Sequence, residues 1–194
     1  MPRVVDHDER RREITYAVWQ LAAAGGLGAV TLRAVAAEAG VSVGRIQHYF
    51  ASEEELVRCG CRALVAAGAE AFRERAAADP VAALRELVTH AVPQTDAQRV
   101  GTAVWYAYLT RSAADAEIAA ILREAKRGEE AEGVRLLRAA QEAGRAARNL
   151  EAGAAVRGLF AKADGLATRV LIGQLGASEA VGMLEHDLNA LFSG

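Results

Sequence analysis

The chain has 194 residues, 23 Lys and Arg against 25 Asp and Glu, and a formal net charge of −2. That length suits one compact unit or two small ones and buries a core without staples. The charge balance excludes a polycation that coats nucleic acid by electrostatics alone. Ala supplies 45 residues, close to half of the apolar content, and the only Lys are Lys126 and Lys162. Richness in Ala, Leu, Arg and Glu predicts an all-α protein of about nine helices.

In chain order, residues 1–8 read as a loosely held start. Met1 to Arg12 carries four Arg and no apolar run, so no signal peptide is expected. A first helix is expected from Glu9 to Ala24, with Ile14, Ala17, Val18 and Leu21 on one face. Gly25, Gly26 and Gly28 end it. The uncharged run Val18–Leu32 is broken by these three Gly and does not suit a bilayer span. Thr31 caps a short helix over 32–39, Gly40 stops it, and Ser42 caps the next, over 43–49. Ser52 and Glu55 form a capping box that opens a helix over 53–77. Cys59 and Cys61, two apart on that helix, point to nearly opposite sides and cannot bond each other. Without a disulfide framework a cytoplasmic location is expected.

Pro80 sits at the first position of a helix over 81–92. Further helices are expected over 95–113, 115–144, 149–175 and 178–192. No window alternates as a strand does. The expected division is residues 1–52 and 53–194.

Residues 32–50 (LRAVAAEAGVSVGRIQHYF) carry the strongest signal. Two short helices that cross steeply need a small residue where they touch, and Ala36 supplies it. Four residues on, Gly40 takes the positive φ of the turn. Val35, Ala39, Val41, Ile46 and Tyr49 fall where the pair must be apolar. Helix 43–49 would then lie in a major groove with Ser42, Val43, Gly44, Arg45, Gln47 and His48 outward. Arg45 suits guanine O6 and N7, and Gln47 suits adenine N6 and N7. Thr31, Arg33 and Tyr49 are candidates for phosphate, as are the first amides of both helices. A plain packed hairpin would explain Ala36 and Gly40 equally well. It explains less well an outward face holding Arg, Gln and His but no acid.

These residues resemble the N-terminal DNA-binding domain of the TetR (tetracycline-repressor) family of transcriptional regulators. The matching pieces are Thr31 to Ala36 (TLRAVA), Ala39 to Gly44 (AGVSVG), His48 to Phe50 (HYF) and Ser52 to Leu56 (SEEEL). Two positions depart from the family pattern: Gln47 stands where Tyr is usual, and Glu53 where a Lys would touch phosphate; Glu53 would instead lean on the helix N-terminus or weaken nonspecific affinity. The rest of the chain is similar to the family's ligand-binding and dimerisation half, nearest to its BetI-like branch. The resemblance implies a homodimer on a palindromic operator in double-stranded DNA. It also implies release by a small-molecule effector and no enzymatic activity.

Val156, Leu159, Ala163, Leu166 and Val170 recur at three and four residues, a seam for a partner helix. Val181, Leu184, Leu188 and Leu191 form a second stripe. Closing the monomer core would need the same spacing. A two-fold dimer would set two recognition helices about 34 Å apart. Trp105, Tyr106 and Tyr108 crowd one turn. As a set, Trp105, Tyr108, Leu109, Phe160 and Asp164 are the expected effector pocket, where Asp164 would serve a ligand cation or pair with Arg123 or Arg111. Each aromatic by itself also reads as ordinary core.

No metal site, cofactor or catalytic set is expected: the four His lack metal-ligand spacing, and no CxxC or GxSxG occurs. No membrane partner is expected either. The competing reading is an all-α small-molecule-binding protein or enzyme whose helix-turn-helix is incidental. Residues 9–50 hold five Arg and three Glu, and the remainder holds 18 cations and 22 acids. The net −2 therefore combines a mildly basic head with an acidic body.

Overall fold

The computed structural model describes residues 3–75 and 78–192, with side chains from Arg10 onward. Nine α-helices and a short 3-10 turn make up its regular structure, and no strand occurs among the described residues. They are α1 (Arg3–Gly25), the 3-10 turn (Leu27–Ala29), α2 (Leu32–Glu38), α3 (Val43–Tyr49), α4 (Glu53–Arg75) and α5 (Pro80–Thr89). Then follow α6 (Asp96–Ser112), α7 (Ala116–Glu142), α8 (Ala152–Leu171) and α9 (Ala177–Phe192).

Most ends fall where the caps predict them. The Asp79 carboxylate accepts from the Ala82 amide at 2.9 Å, with Pro80 in the first turn of α5. Asp115 accepts from the Glu117 and Ile118 amides and starts α7. Three helices differ from expectation by three residues or more: α5 ends at Thr89 and not 92, α8 spans Ala152–Leu171 and not 149–175, and α1 begins at Arg3, not Glu9. The apolar period that signals its buried face starts only at Ile14, so the polar lead-in carries no such signal. Gly128 and Gly133 lie inside the unbroken α7. At Gly133 an added Cβ would lie 2.8 Å from Val156 Cγ1, so this glycine lets α7 and α8 approach closely.

The chain packs as two compact units. The first comprises the chain up to Ala67 together with Ala103–Leu122; the second comprises Gly68–Thr102 and Arg123 onward. Thus α4, α6 and α7 each contribute residues to both units.

The first unit is built on Ile14, Val18, Val35, Ile46, Phe50, Leu56, Val104, Tyr108 and Ile118, all essentially inaccessible. Its centre is a close approach at Gly60. The Tyr108 hydroxyl donates to the Val57 carbonyl at 3.1 Å, and Trp19 Nε1 donates to the Gly60 carbonyl at 3.0 Å. A Cβ on Gly60 would lie 2.5 Å from the Tyr108 hydroxyl. Arg58 on α4 pairs with Asp115 at 3.1 Å and with Glu117 at 2.9 Å. Burial opposes the charge of Asp115, but the Ile118 amide and Arg58 outweigh it and hold the carboxyl below its ordinary pKa.

The second unit packs α5, α7, α8 and α9 around Leu84, Val88, Leu137, Val156, Leu184 and Leu188. Here the expected partner seam takes the other of its two readings. Val156, Leu159, Ala163, Leu166 and Val170 are each at most 5% exposed within the single chain. Leu184 and Leu188 are fully buried, and Val181 and Leu191 are half-buried against the same core. Within the protomer the α8 stripe, Leu184 and Leu188 are covered, and Val181 and Leu191 are covered only in part. Hydrophobic period fixes which residues share a face, not which body covers it.

Candidate nucleic-acid interface

The helix-turn-helix is set by four local devices. Thr31, in extended conformation, caps α2 by accepting from the Ala34 amide at 3.1 Å. Gly40, at φ +64°, closes α2: its amide donates to Ala37 O at 3.3 Å, and the Val41 amide donates to Ala36 O at 2.9 Å. This paired closure needs a left-handed residue after the cap, which costs Gly nothing sterically. Ser42 caps α3 by accepting from the Arg45 amide at 3.2 Å. At the start of α4, Ser52 accepts from the Glu55 amide at 3.1 Å, and Glu55 reaches back to the Ala51 amide at 2.7 Å.

Burial sorts the residues of α2 and α3 cleanly. Val35, Ala36, Ile46 and Phe50 face the core. Ser42, Gly44, Arg45, Gln47 and His48 are exposed, as is Arg33; Thr31, Val43 and Tyr49 are half-buried. The nine predicted residues therefore lie at the surface of one short segment. A Cβ added at Gly44 would meet open space, so nothing within the chain requires glycine there. The His48 and Tyr49 rings meet edge to face at 5.4 Å between centroids. From α1, Arg11 lies over the Phe50 ring at 5.7 Å. Arg10 is paired with Glu13, so the arginine run is partly engaged within the protein.

Glu53 has a partner that its position in sequence does not reveal. Its Oε1 accepts from the Leu32 amide, 21 residues away, at 3.2 Å. A carboxylate therefore stands at the start of α2, where a phosphate would otherwise find that amide. The amides of Ala34 and Arg45 are likewise bonded to Thr31 and Ser42.

The five expected pocket residues do not fall in one unit. Trp105, Tyr108 and Leu109 belong to the first unit, and Phe160 and Asp164 to the second. Tyr108 is buried and holds Val57, a structural task that its spacing did not announce. Asp164 pairs with Lys126 at 3.0 Å, not with Arg123 or Arg111. Lys126 also pairs with Glu129 at 3.2 Å and lies 5.9 Å from the centre of the Phe160 ring. Burial works against the Lys126 charge, but Glu129 and Asp164 outweigh it and hold its pKa above the ordinary value. Cys61 is fully buried, and burial pushes its thiol up to about 11. That is the opposite of a reactive thiolate. Among the described residues, no group of three or more His, Cys, Asp or Glu could hold a metal ion. Nor is any helix there long and apolar enough to cross a membrane.

A segment that presents Arg, Gln and His from a capped helix-turn-helix, joined to a helical body, defines a class of DNA-binding regulator. Residues 14–58 match the family described as bacterial regulatory proteins, tetR family. Residues 80–193 match the family described as BetI-type transcriptional repressor, C-terminal. The chain belongs to the TetR family of transcriptional regulators, with a BetI-type C-terminal part.

Among its relatives, the HTH-type regulator PksA of Bacillus subtilis strain 168 is 27% identical over 110 residues, 56% of this chain and 54% of that one. The HTH-type regulator BetI of Pseudomonas paraeruginosa strain PA7 is 31% identical over 116 residues, 58% of this chain and 59% of that one. The chain thus spans a little over half the length of the curated relatives it matches. A crystal structure of a transcriptional regulator from Saccharomonospora viridis in complex with choline superposes with a TM-score of 0.82. It is 26% identical and covers 96% of both chains.

Proposed function

We propose that the protein is a homodimeric transcriptional repressor that binds a palindromic operator and is released by a small-molecule effector. The observation that carries this reading is the outward face of α3. Its exposed residues, Arg45, Gln47 and His48, include donors suited to base edges and no acid. The two caps and Gly40 hold that face on a rigid element, as base readout requires. Family membership supports regulation of transcription over an incidental helix-turn-helix in an enzyme. The choline complex of the Saccharomonospora viridis relative supports a small-molecule effector. A regulator of this kind acts in the cytoplasm.

The dimer reading moves to the other face of α8. Ala154, Gly158, Ala161, Gly165, Thr168 and Ile172 are exposed and recur at four and three residues. Cβ atoms added at Gly158 or Gly165 would meet open space in the protomer. Such small residues let two helices approach closely across a two-fold axis. Ile172, at 71% exposure, and Met183, at 42%, supply exposed apolar area on α8 and α9.

Effector binding favours release only if the ligand prefers the released conformation. Selection of bound sequences from random duplex DNA tests the whole reading. A palindrome with half-sites about one helical turn apart is expected. Enrichment of no sequence, or of a single half-site, would refute it. Arg45→Ala should relax preference at one base position by about 1–3 kcal/mol. Equal loss on operator and random duplex would remove that assignment.

A further inference from the structure

Gly44 occupies the middle of the outward face of α3. Gly44 and His48, two residues either side of the buried Ile46, both lie roughly opposite it on the helix. Gly is the poorest helix former after Pro, and α3 has only seven residues. Neither of the usual reasons for glycine holds here. Its φ is not positive, and a Cβ built on it meets nothing within 4 Å among the described residues. Side chains one turn later on a helix lean back over such a position. Yet the His48 ring turns to Tyr49, at 5.4 Å between centroids, and Gln47 also leaves the space open. The result is a hollow the size of one methyl group, with the exposed Arg45, Gln47 and His48 around it.

Base edges in a major groove carry hydrogen-bonding atoms and one apolar projection, the C5 methyl of thymine. The long side chains beside the hollow serve the hydrogen-bonding atoms. A methyl needs no such partner; it gains by leaving water for close contact.

We propose that Gly44 is a specificity-determining residue: its missing side chain receives the C5 methyl of one thymine in each operator half-site, beside the base pairs read by Arg45 and Gln47. A larger residue fills the hollow and turns that thymine from preferred to excluded. This assignment rests on the repressor reading of α3 and deepens it from duplex DNA to one base at one position.

The test uses the palindrome that the natural chain selects from random duplex. Its thymines are exchanged for uracil one symmetric pair at a time, which removes only the methyl, and affinity is read by fluorescence anisotropy. At one pair the exchange should weaken the natural chain by about fourfold per half-site, the worth of one buried methyl. Gly44→Ala should reverse the order at that same pair, binding the uracil duplex at least about threefold tighter than the thymine duplex. The variant should melt at or above the natural chain, because its new Cβ meets open space, so a reversal reports the contact and not the fold.

A palindrome with no thymine sensitive to the exchange would overturn the proposal. So would a Gly44→Ala chain that binds as the natural one does, or that loses the thymine and uracil duplexes alike, which would make the hollow a contact to the DNA backbone. An enriched palindrome without the reversal removes the role of Gly44 alone. A random pool that yields no enriched sequence removes the repressor reading and this role with it.

Discussion

Gly60→Ala and Gly68→Ala place the same methyl group on the same helix, and the surroundings give them opposite signs. In a helix interior, Ala is favoured over Gly by about 1 kcal/mol. At Gly68 the new Cβ meets nothing within 4 Å, so the propensity gain stands. At Gly60 it would lie 2.5 Å from the Tyr108 hydroxyl and 2.8 Å from Val18 Cγ1. Tyr108 is a long side chain, but it is fully buried and its hydroxyl is bonded to Val57 O at 3.1 Å. The ring cannot withdraw without vacating core space.

Overpacking costs about 1–3 kcal/mol, and a buried hydroxyl parted from its acceptor costs about as much again. The net expectation for Gly60→Ala is a loss of about 1–5 kcal/mol after the propensity gain, centred on about 3 kcal/mol. For a chain of this length that lowers the melting temperature by roughly 10 °C. Thermal unfolding followed by circular dichroism, at one fixed protomer concentration, measures both variants. A Gly60→Ala protein that melts at or above the natural chain would refute the claim that this contact is tight and immobile.

Four further outcomes are expected. Glu53→Lys frees the Leu32 amide and adds a cation beside it, so binding to random duplex should tighten and the salt slope should steepen by about one unit; an unchanged slope in a filter-binding series would show that α2 does not meet phosphate. Gly165→Glu should leave the protomer folded and give monomers in sedimentation. Leu166→Glu should unfold it, because Leu166 is 5% exposed within the protomer; a folded, monomeric Leu166→Glu protein would restore the buried stripe as the seam. Asp115 has its folded pKa depressed, so its stabilisation is present above the unfolded value of about 3.9 and is lost as pH falls through the folded one. The stability difference between the natural chain and Asp115→Asn should therefore shrink below about pH 4 in urea titrations; a constant difference would assign Asp115 a role independent of its charge.

The sequence by itself determined the reading head. Thr31, Gly40, Ser42 and Ser52 act on amides and carbonyls within a few residues of themselves, so their spacing specifies the caps and the turn before any tertiary contact forms. The outward set of α3 follows once Ile46 and Phe50 are recognised as its inward set. The tertiary structure decided what lies across the chain. The buried stripe of α8 could face a partner or its own core, and only the packing of α5, α7 and α9 against it chose the core. Tyr108 reads like any pocket aromatic until Gly60, 48 residues earlier, is placed at its hydroxyl. Asp164 needed a cation, and Lys126 was selected over two arginines by helix positions that no local pattern encodes. Glu53 looked like a lost phosphate contact, whereas its carboxylate is bonded to the first amide of α2. A local hydrogen bond is fixed by the few dihedrals between its ends, but a contact between distant helices depends on how every intervening residue packs.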